Sequence, residues 1–389
     1  MGCMGSKVEP NRDSFAIVRH KSGSMRTLPS EEIRRTTSDY SIPQTPLTED
    51  TIPFEPKHRR NSVHLYNGTT AGSKKDQDRF ITIPDLFPDV FFTGVFDGHA
   101  QNGAVFAERA GTEFARLLRE KMGWLQDMSH SAEPVNVEEF TTRATADLTA
   151  VFADIQQMFA TEYEKEVQIP LEKEHKKFEK SEGIALPLSL PMIGGTTATI
   201  VLVVGPFMVV SWVGDSRAVM CQVNSDGAIC AVDLTVDHNV ESNATERSRA
   251  IAAGGAVAGR HIAVDGAEGM LQTLRSLGDV PHHKNDIVTA VPEVNVFRLD
   301  PEQHPFVVLA SDGIWHHRTS LEVVGNIFKE LNEVAEEMSS DDLVRVCQKS
   351  TFELNGWVKE HAAQSDDIVM STFTVLGYDW KKKNGTVKE

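Results

Sequence analysis

Cysteine is scarce in this 389-residue chain, occurring only as Cys3, Cys221, Cys230 and Cys347. Their separations match neither a zinc site nor a disulfide framework, so thiol usage points to a reducing compartment. Basic residues are also in deficit, with 39 Lys and Arg against 56 Asp and Glu, a formal charge of −17. The imbalance is uneven. Residues 1–60 hold 10 basic against 8 acidic residues (+2), leaving 29 against 48 (−19) for the rest. An acidic body lacks the basic footprint that a nucleic-acid partner requires. No apolar signal-peptide core stands near the N-terminus. The one long uncharged stretch, Ile193–Gly214, is broken by Gly205-Pro206 and is rich in β-branched residues. It reads as two core strands and a turn rather than a membrane span.

What is present at the start is a tail. Residues 1–60 contain six of the 17 prolines, many Ser and Thr, and no sustained hydrophobic period. Met1-Gly2-Cys3-Met4-Gly5-Ser6 fits the M-G-x-x-x-[ST] pattern for N-myristoylation at Gly2, with Cys3 beside it as a palmitoylation candidate. Two acyl chains anchor where one binds only marginally. Lys7, Arg12, Arg19, Lys21 and Arg26 add attraction to anionic lipid. These features predict a lipid-anchored protein at the cytosolic face of a membrane, with a cytoplasmic pool.

From about His64 the pattern is globular. Phe80–Ile83 and Phe91–Phe96 read as strands, Gly103–Lys121 and Val137–Tyr163 as amphipathic helices. Glu164–Pro191 reads as a charged extension and loop. Strands are expected at Thr197–Val204, Phe207–Val213, Ala218–Val223, Ile229–Val232 and Ile368–Leu376, and short helices at Ala250–Val257, Ser320–Lys329 and Ser340–Trp357. Grouped strands with paired helices between them predict an α+β layered antiparallel core.

Two apolar runs end in Asp-Gly, FFTGVF before Asp97 and FVVLAS before Asp312. Asp-Gly is a common turn dipeptide, and Asp226 and Asp265 read as plain turns. Asp97 and Asp312 differ because each caps a core strand, and Asp215 and Asp367 occupy comparable places. Buried carboxylates need a positive partner. Oxygen-only ligand sets suit Mg²⁺ or Mn²⁺, so the arrangement points to a metal-dependent hydrolase.

VFDGHA, GGTTA, VGDSRAV, TVDHN, the Glu246–Val257 stretch, LRSLGD, ASDGIW and SDDI occur in this order. The series resembles the type 2C (PPM) metal-dependent protein serine/threonine phosphatase family, over about residues 64 to 378. The resemblance implies a four-layer αββα sandwich, two antiparallel sheets flanked by helix pairs, with two Mg²⁺ or Mn²⁺ ions at one edge. It implies that Asp97 bridges the ions, that Gly98 offers its carbonyl, and that Asp312 and Asp367 bind the second ion. It further implies that Asp78 acts through water, that Asp215 serves a weaker third site near Thr197, and that His99 is the general acid. The implied activity is hydrolysis of phosphoserine and phosphothreonine on proteins by a metal-activated bridging water. The cysteines carry no C-x5-R loop, in keeping with a reaction that needs no covalent nucleophile.

Three positions depart from the family pattern. Gln77 stands where Glu is common, Lys74 and Lys75 occupy the region of a phosphate-binding Arg, and His316 follows DGIW in place of an acid. Either lysine would hold phosphate as a point charge. These departures motivate an alternative, a weak or silent member acting as a membrane scaffold. His282-His283 and His316-His317 read as surface histidines, since hard cations prefer oxygen. The expected organisation is a tail (1–60), a catalytic domain (61–379) and a C-terminal tail (380–389), acting as a monomer on phosphoprotein substrates.

Overall fold

The computed structural model describes residues 17–19, 25–27, 51–52, 63–71, 76–130, 135–183, 185, 187–225, 227–333 and 367–375. Gly2, Cys3, Lys74, Lys75, Asp226 and the helix expected at Ser340–Trp357 lie outside them.

Two five-stranded antiparallel sheets form the centre. The first contains β2 (Arg79–Phe87), β3 (Val90–Phe96), β4 (Ala198–Val204), β5 (Phe207–Val213) and β8 (Glu293–Arg298), in the order β8-β5-β4-β3-β2. The second contains β1 (Val63–Ala71), β6 (Arg217–Val223), β7 (Ile229–Asp233), β9 (Phe306–Ala310) and β10 (Ile368–Val375), in the order β7-β6-β9-β10-β1. Phe91, Val95, Val201, Trp212, Val307, Leu309 and Phe373 fill the space between the sheets. The opposite face of β3 and β4 (Phe92, Phe96, Ile200, Leu202) packs on α1 (Gly103–Lys121) and α2 (Val137–Tyr163) through Phe114, Leu118 and Phe152.

Strands covered on both faces cannot alternate apolar with polar, which is why β3, β4 and β5 are buried at every residue. Each fully buried Phe or Leu contributes about 1.5–3 kcal/mol. The uncharged Ile193–Gly214 stretch thus supplies β4 and β5, joined at Gly205 with φ of 54°. Among the described residues no helix is long and apolar enough to cross a membrane. The second sheet packs its outer face on α5 (Ser320–Glu333) through Val323, Val324, Ile327 and Leu331.

Two local expectations differ from the structure. Glu164–Pro191 is not mainly loop: helix continues from α2 through a π-type turn at Glu164–Gln168 into α3 (Ile169–Glu182), closed by Gly183 at φ 69°. Pro170 directly follows the π-type turn, where the regular i→i−4 bonding is already interrupted and a missing N–H is tolerated. α3 has no buried residue, so it leaves no hydrophobic period to read. The helix expected at Ala250–Val257 is instead α4 (Ala244–Ala252), where the Asn243 side chain accepts from the Glu246 backbone N–H.

Candidate metal centre and active site

Antiparallel pairing brings the start of one strand beside the end of the next, and this places the acids. Asp78 precedes β2 and Asp97 follows β3, whose paired residues include Arg79 and Phe96. Ser311 and Asp312 follow β9, and Asp367 precedes β10, which pairs antiparallel with it. Asp215 follows β5. All five therefore stand at one edge of the sandwich. Asp97, Asp215 and Asp312 line an open cavity there together with Gln77, Gly98, His99 and Thr197. Asp78 and Asp367 are buried behind them.

Asp367, Asp97 and Asp215 are each held by named partners. The Gln77 backbone N–H donates to Asp367 Oδ2 at 2.8 Å, and its amide donates to the Ala100 carbonyl at 2.6 Å. Thr197 Oγ1 accepts from the Asp97 backbone N–H at 3.1 Å and bonds Ser216 Oγ at 2.8 Å. Asn239 reaches Asp215 Oδ2 at 3.5 Å. Glycine at 98 and at 313 is steric: a Cβ at Gly98 would enter the Gly103 carbonyl, and one at Gly313 would enter that of Asp367.

Burial pushes the Asp78 carboxyl up to about 8, reinforced by Asp312 and Asp367. Burial, then Asp78, Asp312 and Asp215, holds Asp97 well above the usual carboxylate range. Asp215 is raised by burial and by Asp312. Asp97 lies within hydrogen-bonding reach of both Asp78 and Asp312. Two carboxylates in contact are stable only with a proton or a cation between them. Asp78 Oδ2 is buried with no hydrogen-bond partner. Among the described residues no three Asp, Glu, His or Cys side chains close on one point as a finished ligand set. Asp97, Asp215 and Asp312 instead present carboxylate oxygens to the cavity, with Asp78 and Asp367 buried behind. An orphaned buried oxygen and repelling carboxylates fit hard divalent cations.

His99 follows the same strand end. Its Nε2 lies 2.7 Å from Asp279 Oδ2, a contact that sequence reasoning missed. Burial alone would lower the imidazole pKa, yet Asp279, Asp215 and Asp312 raise it above the ordinary value. The clue was the final residue of LRSLGD, which looks like a turn because no apolar run precedes it.

The histidine pairs divide. His282 is fully buried, not on the surface, with its ring 3.4 Å from the Gly269 carbonyl. His283 is half-buried, and burial lowers it to about 4. Both lie within the 264–291 segment, whose short elements gave no hydrophobic period to mark the burial. His316 is exposed, as expected, and its Nδ1 stands 3.2 Å from Asp312 Oδ2.

Comparison with known proteins agrees with this architecture. The family profile for protein phosphatase 2C matches residues 104–356, more than half of the chain. The chain belongs to the protein phosphatase 2C family. It is thus one of the protein serine/threonine phosphatases, a family that depends in general on Mg²⁺ or Mn²⁺. "Probable protein phosphatase 2C 21" of Oryza sativa subsp. japonica is 26% identical over 329 residues, covering 79% of this chain and 83% of the relative. Protein phosphatase 1L of Bos taurus is 29% identical over 264 residues, covering 66% of this phosphatase 2C chain and 61% of the relative. A serine-threonine phosphatase 2C structure from Toxoplasma gondii shares the fold, with TM-score 0.60 and 20% identity over 84% of this chain and 98% of that one.

Proposed function

We propose that this phosphatase 2C hydrolyses phosphoserine and phosphothreonine monoesters on proteins at the acidic cavity, with two Mg²⁺ or Mn²⁺ ions held by Asp78, Asp97, Asp312, Asp367 and the Gly98 carbonyl. The mutual crowding of Asp78, Asp97 and Asp312, with the pKa values of Asp78 and Asp97 pushed upward, carries the reading. Asp215 suits a weaker third ion. When bound, such cations neutralise phosphoryl charge and acidify a water for in-line attack.

The chain's own residues supply the rest. Asp78, Asp97, Asp312 and Asp367 fix the geometry at strand ends that the two sheets make rigid. As the bond from phosphorus to the serine or threonine oxygen breaks, His99 gives that oxygen a proton. His99 is left neutral and regains its proton, through solvent, from the water whose oxygen joins phosphorus. Lys74 and Lys75 are proposed to meet the incoming phosphate as point charges. Acylation at Gly2 and Cys3 tethers the enzyme to the cytosolic face of a membrane.

The test is phosphate release from a phosphothreonine peptide in Mn²⁺. Asp97→Ala is expected to lower kcat by at least ~10²–10³-fold, the scale of losing one preorganised charge-stabilising group, while the melting transition stays cooperative. Turnover that persists in this variant, or in excess EDTA, contradicts the mechanism. Gly2→Ala is expected to move the full chain from membrane to soluble fractions; unchanged fractionation removes the tether alone.

The His316–Asp312 contact favours a second reading, a weak or silent member serving as a membrane scaffold. A His316 ring held at this distance would compete with cations for Asp312. Absent turnover in both wild type and His316→Ala, with normal membrane recruitment, selects it.

A further inference from the structure

Three two-residue strands, Gly98–His99, Gly195–Thr196 and Leu277–Gly278, form one small sheet beside the cavity. This sheet joins parts of the chain far apart in sequence and sets Asp279 against His99, 180 residues away. We propose that Asp279 is a positioning residue for proton transfer by His99: it fixes the ring, assigns the proton on Nε2, and leaves Nδ1 to serve the leaving oxygen. The inference rests on the reading of His99 as the general acid.

The geometry around Asp279 is that of a built support. Its side chain is fully buried and is not among the residues lining the cavity, so it acts from behind His99, which is partly exposed. Ser276 Oγ donates to Asp279 Oδ2 at 2.7 Å, the same oxygen that meets His99. The Asp279 backbone N–H donates to the Gly194 carbonyl at 3.0 Å, and its own carbonyl accepts from the His282 N–H at 2.8 Å. Gly195 packs so closely on the carboxylate that a Cβ would overlap it. Asp279 also holds φ 43°, in the left-handed region, which costs a non-glycine residue and persists only where surroundings enforce it. Oδ1 is buried with no hydrogen-bond partner.

A buried carboxylate in this state is expensive unless a cation answers it. The His99 ring is in direct contact through Nε2, so the held carboxylate fixes where that ring sits. Hydrogen bonding at one ring nitrogen fixes both tautomer and ring plane, which directs the other nitrogen. On transfer, the N–H bond at Nδ1 breaks, the alkoxide gains the proton, and the imidazolium becomes neutral His99 with its Nε2–H on Asp279.

The test compares two substrates in Mn²⁺: a phosphothreonine peptide, whose alkoxide needs a proton to leave, and 4-nitrophenyl phosphate, whose phenolate leaves unaided. Wild type, His99→Gln, Asp279→Asn and Ser276→Ala are assayed. Asp279→Asn, which keeps the shape, is expected to lower kcat on the peptide ~10–100-fold, the scale of losing a supporting partner. Its loss on the aryl ester is expected to be several-fold smaller, with KM for the peptide within about twofold of wild type. Ser276→Ala is expected to discriminate in the same direction, less strongly. If Asp279→Asn does not fold, Ser276→Ala decides by the same ratio. Equal losses on both substrates in these variants, while His99→Gln still discriminates, overturn the inference alone. Equal losses in His99→Gln overturn the general-acid reading and the inference with it.

Discussion

A methyl group at position 195 has nowhere to go, because the Asp279 carboxylate already occupies its place. Gly195→Ala is therefore expected to cost roughly 1–3 kcal/mol of stability, as overpacking does, and to lower kcat by displacing Asp279. Thermal melting and peptide turnover on one preparation check both effects; an unchanged melt with unchanged turnover contradicts the packing argument. Gln77 shows the same dependence on a single group. Its amide donates to the Ala100 carbonyl at 2.6 Å, and a glutamate carboxylate has no proton to offer there at neutral pH. Gln77 thus makes a hydrogen bond that an ionised glutamate at the same place would not make. Asp97 and Asp312 were legible because each ends a strongly apolar run, whereas Asp78 lies in a polar stretch and was legible only through the family resemblance. Asp279 was not, because its partner lies 180 residues away and its own segment resembles a turn.

At the scale of elements, legibility followed burial. α1, α2 and β5 carry apolar periods that match their bounds, whereas α3 buries nothing and reads as loop. The segment from α4 to β8 was the least legible, since polar contacts hold much of it. Glu246 is nearly fully buried and takes Arg275 at 2.6 Å and Arg249 at 3.0 Å. Arg275 also donates to the Val291 carbonyl and reaches Glu293 at 3.2 Å. Burial would raise the Glu246 carboxyl, but the two arginines bring it down to about 2. Its contribution to stability is therefore present above the ordinary value of 4.5 and lost as pH falls through about 2. Arg275→Ala leaves a buried carboxylate with one partner and is expected to destabilise by about 3 kcal/mol. Denaturant unfolding measures this, and a loss within experimental error of zero contradicts it.

Across the whole molecule, two sheets are rigid enough to hold like charges together at one edge. The −17 formal charge offers no relief to them. In the metal-free chain, Asp78 keeps below about 8 a proton that the unfolded chain gives up above 3.8. This group's contribution to stability accordingly falls as pH rises through that window, and a bound divalent cation reverses the loss. Because the cation must displace protons, its affinity rises with pH over the same range. The most direct test is calorimetric titration of the full-length protein with Mn²⁺ at pH 6 and pH 8, beside Asp97→Asn. The account expects binding that tightens toward pH 8, releases protons, and is lost in Asp97→Asn. Absent binding at either pH, or binding that Asp97→Asn leaves unchanged, would contradict it.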